Sequence, residues 1–137
     1  MPSGTWYNTG MANSPDPLEV RELNHVALHV RDLAASEHFY GEILGLPKLP
    51  RPAFNFPGAW FALGSQELHL IVDETAQEQR TVHIALRVDD ASAAYAALVA
   101  RGVANVSPPA PRPDGAIQVF LKDPDGHLIE IMSEAGQ

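Results

Sequence analysis

The 137-residue chain contains no cysteine. That excludes disulfides, thiolate nucleophiles and sulfur ligation, and leaves histidine and carboxylates as the only strong metal ligands. It also suits a reducing compartment, so a cytoplasmic protein is expected. Basic residues are scarce: nine Lys and Arg stand against 17 Asp and Glu, for a formal net charge of −8. They form no cluster, so neither nucleic acid nor an anionic membrane is an expected partner. No apolar run approaches the length of a membrane span. Met1–Asn13 lacks the basic start and apolar stretch of a signal peptide. What remains is ordinary: 45% hydrophobic and 19% charged residues describe a chain able to bury a core in one domain without covalent staples.

Residues 1–22 begin rich in Gly, Pro, Ser and Asn and show no periodicity, so they read as a flexible leader on which Trp6 and Tyr7 are the only candidate anchors. The folded domain is expected over 23–134, with 135–137 as a tail. Within it the chain is written twice. Asn24-His25-Val26-Ala27-Leu28-His29-Val30-Arg31-Asp32 returns 58 positions later as Val82-His83-Ile84-Ala85-Leu86-Arg87-Val88-Asp89-Asp90. Each copy alternates with period two, which specifies a strand: Val26, Leu28 and Val30 on one face, His25, Ala27 and His29 on the other. A helix follows each. Asp32 caps a segment from Leu33 to about Leu44 that stops at Gly45, and Asp89 or Asp90 caps Ala91 to about Arg101, stopping at Gly102. Three more strands are expected in each half: Leu46–Leu49, Ala59–Leu63 and Glu67–Val72, then Val103–Ser107, Ile117–Lys122 and Leu128–Ser133. Asp123-Pro124-Asp125-Gly126 forms a tight turn between the last two.

The pattern is βαβββ twice, module one over 23–73 and module two over 81–134, joined by a polar link near Asp73–Arg80. The expected α+β architecture is a curved eight-stranded mixed sheet with helices outside and a cleft inside.

The repeat turns scattered histidines into a set. His25 and His83 open the first strands of the two modules, while His69 and Glu130 sit in the middle of the last strands. All four alternate with apolar neighbours and are expected to face the cleft. A lone strand histidine is commonly a hydrogen-bonded structural residue, and Glu130 between Ile129 and Ile131 would also suit a solvated sheet edge. Four such residues at equivalent positions point instead to one divalent metal ion. Three imidazoles and a carboxylate suit Zn, Ni, Co, Mn or Fe. His29 lies four residues beyond His25, on the order of 13 Å away at ~3.3 Å per residue, so it is a substrate-side candidate rather than a ligand. Trp60, Arg87 and Lys122 are the other substrate-binding candidates. Phe54 and Phe56 are possible stacking partners, although core packing explains aromatics equally well. His38 is expected at the surface and His127 in a structural role.

The strand Asn24–Val30, its echo His83-Ile84-Ala85-Leu86, and above all Asp123-Pro124-Asp125-Gly126-His127-Leu128-Ile129-Glu130 resemble the vicinal oxygen chelate superfamily. That group includes glyoxalase I, bleomycin resistance proteins and extradiol dioxygenases. The resemblance spans about Leu23 to Glu134. It implies paired βαβββ modules, a metal held by His25, His69, His83 and Glu130, a small-molecule substrate, and a homodimer in which halves of two chains build each site. Bacterial glyoxalase I usually carries Glu at the position of His69, so this chain has one carboxylate at the metal where those enzymes have two.

Four chemistries are compatible. In a glyoxalase-like lyase or isomerase, the metal chelates two oxygens of a small carbonyl substrate and Glu130 acts as the catalytic base. An extradiol-type ring-cleaving dioxygenase would use His25, His83 and Glu130 on Fe²⁺, with His69 occupying a position the reaction wants empty. A thiol transferase would need cations such as Arg87 or Lys122. A drug-binding resistance protein would use the aromatic side chains. The lyase is the leading expectation.

Overall fold

The computed structural model describes residues 19, 21–78 and 82–136. The leader reading, with Trp6 and Tyr7, therefore falls almost wholly outside the described residues. Module one runs β1 (His25–Val30), α1 (Leu33–Glu37), β2 (Lys48–Leu49), β3 (Gly58–Leu63) and β4 (Gln66–Val72). Module two runs β5 (His83–Arg87), α2 (Ala91–Ala100), β6 (Ala110–Pro111), β7 (Ile117–Lys122) and β8 (Leu128–Ser133).

The duplication seen in the residues is a duplication of topology. The strands are ordered β1-β4-β3-β2 in one sheet and β5-β8-β7-β6 in the other. In each, the first strand runs parallel to the last and the other pairings are antiparallel. Among the described residues the eight strands thus form two four-stranded mixed sheets, with no hydrogen-bonded ladder between them. One face of each is apolar and buried: Val30, Phe61, Leu68 and Leu70 in module one, Val119, Leu121, Ile129 and Ile131 in module two. Phe39 and Tyr40 cover the first and Leu98 joins the same core from α2. The opposite faces carry the polar set.

Asp32 and Asp90 cap the helices, each accepting a backbone N–H three residues on at 3.1 Å. Past α2, Gly102 takes φ +88°, a left-handed stop that costs other residues their Cβ clearance. The first helix differs from expectation. Its α-helical part ends at Glu37, and His38–Ile43 continues as a π-helical stretch in which Leu44 N–H reaches Phe39 C=O at 2.9 Å. The wider turn leaves two consecutive aromatic residues, Phe39 and Tyr40, both buried.

A second difference lies before β7. Val103–Ser107 is not a strand; the edge strand is Ala110–Pro111. Ser107 still touches β7, donating its N–H to Phe120 C=O and accepting Phe120 N–H on Oγ, both at 2.8 Å. Pro108 and Pro109 follow and have no N–H to extend a ladder there. Strand β2 is similarly shortened to start after Pro47.

The modules are fastened by the Asp123–Gly126 turn. Asp123 Oδ1 accepts the backbone N–H of Asp125 (2.9 Å) and His127 (2.7 Å), and its Oδ2 accepts the Tyr40 hydroxyl at 2.8 Å. Burial raises the Asp123 carboxyl above its usual range against the lowering effect of that hydroxyl. Burial, then the adjacent Asp123, pushes the Tyr40 phenol up as well. Asp125 accepts both the backbone N–H (2.8 Å) and Nε (2.7 Å) of Arg31. His127 Nε2 donates to the His29 carbonyl at 2.7 Å, which is the structural role expected of it.

Candidate metal centre

On the polar face of module one, β1 contributes His25 and His29, β4 contributes Glu67 and His69, and β3 contributes Trp60. Trp60 and His69 are direct register partners, and their rings lie 3.9 Å apart and 2° from parallel. His25 covers the other side of His69, at 4.1 Å and 16°. The His69 side chain is only 12% exposed, and its Nε2 is 2.8 Å from Glu67 Oε1. His25 Nδ1 lies 2.8 Å from Asn24 Oδ1. An amide oxygen only accepts, so Nδ1 carries the proton and Nε2 keeps its lone pair for another partner.

On the polar face of module two, His83 Nε2 lies 3.2 Å from Glu130 Oε1. The Glu130 side chain is 6% exposed, and its Oε2 accepts the Gln118 amide at 3.0 Å. Arg112 Nη1 stands 3.8 Å from the same oxygen. That guanidinium is gripped by Asp114 through Nε (2.9 Å) and Nη2 (2.8 Å). The hydrogen bonds from Arg112, with help from the Ala116 N–H, hold the Asp114 carboxyl at about 2, and Asp114 raises Arg112 in turn.

Each module therefore brings together its own pair, His25 with His69 and His83 with Glu130. Among the described residues, no three His, Asp or Glu side chains gather closely enough in one chain to hold an ion. The donor chemistry suits a divalent metal. Two ligand atoms each about 2.1 Å from one ion, at right angles, lie about 3 Å apart, and the His83–Glu130 spacing matches that.

The substrate-side candidates fall in different places. Trp60 lies against His69. His29 Nδ1 binds Asp73 Oδ2 at 2.8 Å, with the side chain 56% exposed. It borders a cavity of about 520 Å³ between the modules that His83, His127 and Leu128 also line. Arg87 is exposed at the end of β5, on a second cavity of about 920 Å³ that Leu46 and Leu63 share. Lys122 Nζ is held by Glu78 at 2.6 Å. His38 is exposed, as expected, beside Glu42. Sequence reasoning missed Asn24, Glu67, Gln118 and Arg112. Glu67 and Gln118 share strand parity with His69 and Glu130, so alternation could have found them. Arg112 arrives from a proline-rich loop that carries no such signal.

A family model described as the glyoxalase/bleomycin resistance protein/dioxygenase superfamily matches residues 22–131. The chain is 32% identical over 128 residues to "Glyoxylase I 4" of Arabidopsis thaliana, covering 85% of this chain and 72% of that protein. It is also 32% identical over 125 residues to "Lactoylglutathione lyase" of Escherichia coli O157:H7, covering 82% and 92%. Among solved structures, a glyoxalase family protein of Bacillus anthracis superposes with a TM-score of 0.78 at 27% identity, over 87% of this chain and 99% of that one. With the duplicated βαβββ sheets and this match over most of its length, the chain belongs to the glyoxalase/bleomycin resistance protein/dioxygenase superfamily.

Proposed function

We propose that the chain is a glyoxalase I-like lyase, acting as a homodimer in which His25 of one protomer and the His83–Glu130 pair of its partner meet at one divalent metal ion. The observation that carries this reading is the Glu130 carboxylate. It is buried, and among the described residues no Lys or Arg lies within hydrogen-bonding distance of it, the nearest being Arg112 Nη1 at 3.8 Å. A buried carboxylate whose cation stands off at ion-pair distance without a hydrogen bond is only partly compensated, and a metal beside His83 would add to that compensation. The separation of the two pairs within one chain supports assembly across two copies. The relatives named for lactoylglutathione lyase activity support the reaction class.

Bound there, a divalent ion would supply Lewis-acid polarisation of two substrate oxygens. The chain supplies the proton chemistry. Glu130 is the base, taking a proton from the carbon beside a carbonyl and returning it to the neighbouring position, so the reaction is redox-neutral. Gln118 orients the carboxylate by holding Oε2, and the buried setting keeps bulk water from competing for the proton. His25 is prepared by Asn24, which fixes its tautomer.

The test is metal analysis of the purified protein followed by turnover assays with the hemithioacetal of methylglyoxal and a thiol, and with catechols under Fe²⁺. The reading expects bound divalent metal, lyase turnover and a dimer in solution. Oxygen uptake with a catechol, without lyase turnover, would transfer the assignment to ring cleavage.

A further inference from the structure

We propose that His69 is a positioning residue and not a metal ligand: it is the middle plate of a ring stack that holds His25, so the ion is met by His25, His83 and Glu130 alone. This rests on the metal reading above and sharpens it. An imidazole binds a metal through a nitrogen lone pair lying in the ring plane, at about 2.0–2.1 Å. The His25 and His69 rings are 4.1 Å apart and inclined by 16°. Planes so nearly parallel meet only on the order of 10 Å beyond the rings, far outside any metal–nitrogen bond. No single ion can lie in both.

The two rings differ in how they are packed: each has one nitrogen held by a neighbour, but only His69 has a ring on both faces. His25 keeps Nε2 uncommitted by pairing Nδ1 with Asn24. His69 has its Nε2 on Glu67 at 2.8 Å, and both of its faces are covered, by His25 and by Trp60. Trp60 is fixed by register directly opposite on β3. On the other flank the register partner is Ala27, whose methyl group leaves room for the His25 ring to lean over. A flat ring is what this slot requires of residue 69, with its Nε2 held by Glu67.

The consequence is chemical. A six-coordinate ion held by these three protein groups would keep three positions for water or substrate.

The experiment uses the full-length protein in its native assembly, with Co²⁺ and Zn²⁺ as probes. Titration calorimetry should give His69→Phe a Co²⁺ affinity within about threefold of wild type, with the cobalt absorption spectrum unchanged. Removing the plate in His69→Ala should weaken binding roughly tenfold, as loss of a group that orients a ligand does, and Phe should rescue that loss. His25→Phe should weaken binding by more than about a hundredfold, as loss of a ligand would. Independently of any variant, ring ¹⁵N resonances of the wild-type protein should show His25 and His83 shifting on Zn²⁺ addition while His69 does not. A Zn²⁺-induced shift at His69, or metal loss in a folded His69→Phe equal to that in His25→Phe, overturns the assignment while leaving the metal reading intact. Wild-type protein that takes up neither ion overturns both.

Discussion

Replacing Glu130 by glutamine probes the centre with the least change of shape. The wild-type side chain is 6% exposed and both oxygens face partners, Oε2 the Gln118 amide at 3.0 Å and Oε1 the His83 ring at 3.2 Å. Glutamine in the same pose has one accepting oxygen and one NH₂ group. If the oxygen stays with Gln118, the NH₂ faces His83; if it turns, two amide NH₂ groups oppose each other. In the first case the NH₂ can donate to His83 Nε2 once the imidazole proton sits on Nδ1; in the second a partner is lost, at about 0.5–1.5 kcal/mol. Neutralising the group also removes the cost of burying a charge, and the two effects oppose. The metal-free protein should therefore change in stability by no more than about 1 kcal/mol. Function should respond on another scale. A missing general base lowers kcat by roughly 10²–10⁴, about 3–5 kcal/mol in the barrier. Denaturant melts of the metal-free protein, metal content and steady-state turnover with the hemithioacetal measure the three quantities. Turnover of Glu130→Gln within about threefold of wild type, with metal retained, would refute the role of this carboxylate.

Tyr40→Phe should destabilise the chain by about 1.5–3 kcal/mol, the usual worth of a hydrogen bond to a charged acceptor, because the hydroxyl is the Asp123 Oδ2 donor that ties module one to module two; urea melts read it, and a change below about 0.5 kcal/mol would exclude a fastening role. Gly58→Ala should cost about 1–3 kcal/mol through overpacking, since a Cβ there would lie 2.2 Å from the Leu70 carbonyl oxygen; an unchanged melting temperature would contradict that. The Asp73 carboxyl is held at about 2 by hydrogen bonds from the Thr75 side chain and then His29. Its lowered value means that its contribution to stability is present above 3.8 and lost as pH falls toward about 2. Asp73→Asn should flatten the wild-type decline across that window in thermal melts, and parallel curves would show the group to be uninvolved.

Read alone, the residues already determine a good deal. Period-two alternation around His25 and His83 places strands and their buried faces, because a one-residue slip would expose every apolar side chain. The 58-residue echo implies two modules of one topology, and Asp32, Asp90 and Gly102 mark helix ends through local hydrogen bonding and backbone sterics. The parity of Glu130 on its strand is equally local. Tertiary structure decided what depends on neighbours distant in the chain. Ser107 meets β7 without forming a strand because prolines beside it remove ladder donors. The Asp123 turn became a fastening because Tyr40 and Arg31 come to it from the other module. His69 looked equivalent to Glu130 by position, and alternation could not distinguish them. Only tertiary packing reveals that Trp60 and His25 cover its two faces, the contact on which the proposed plate role rests, since ring orientation is set by contacts across strands and not by the order of residues along one.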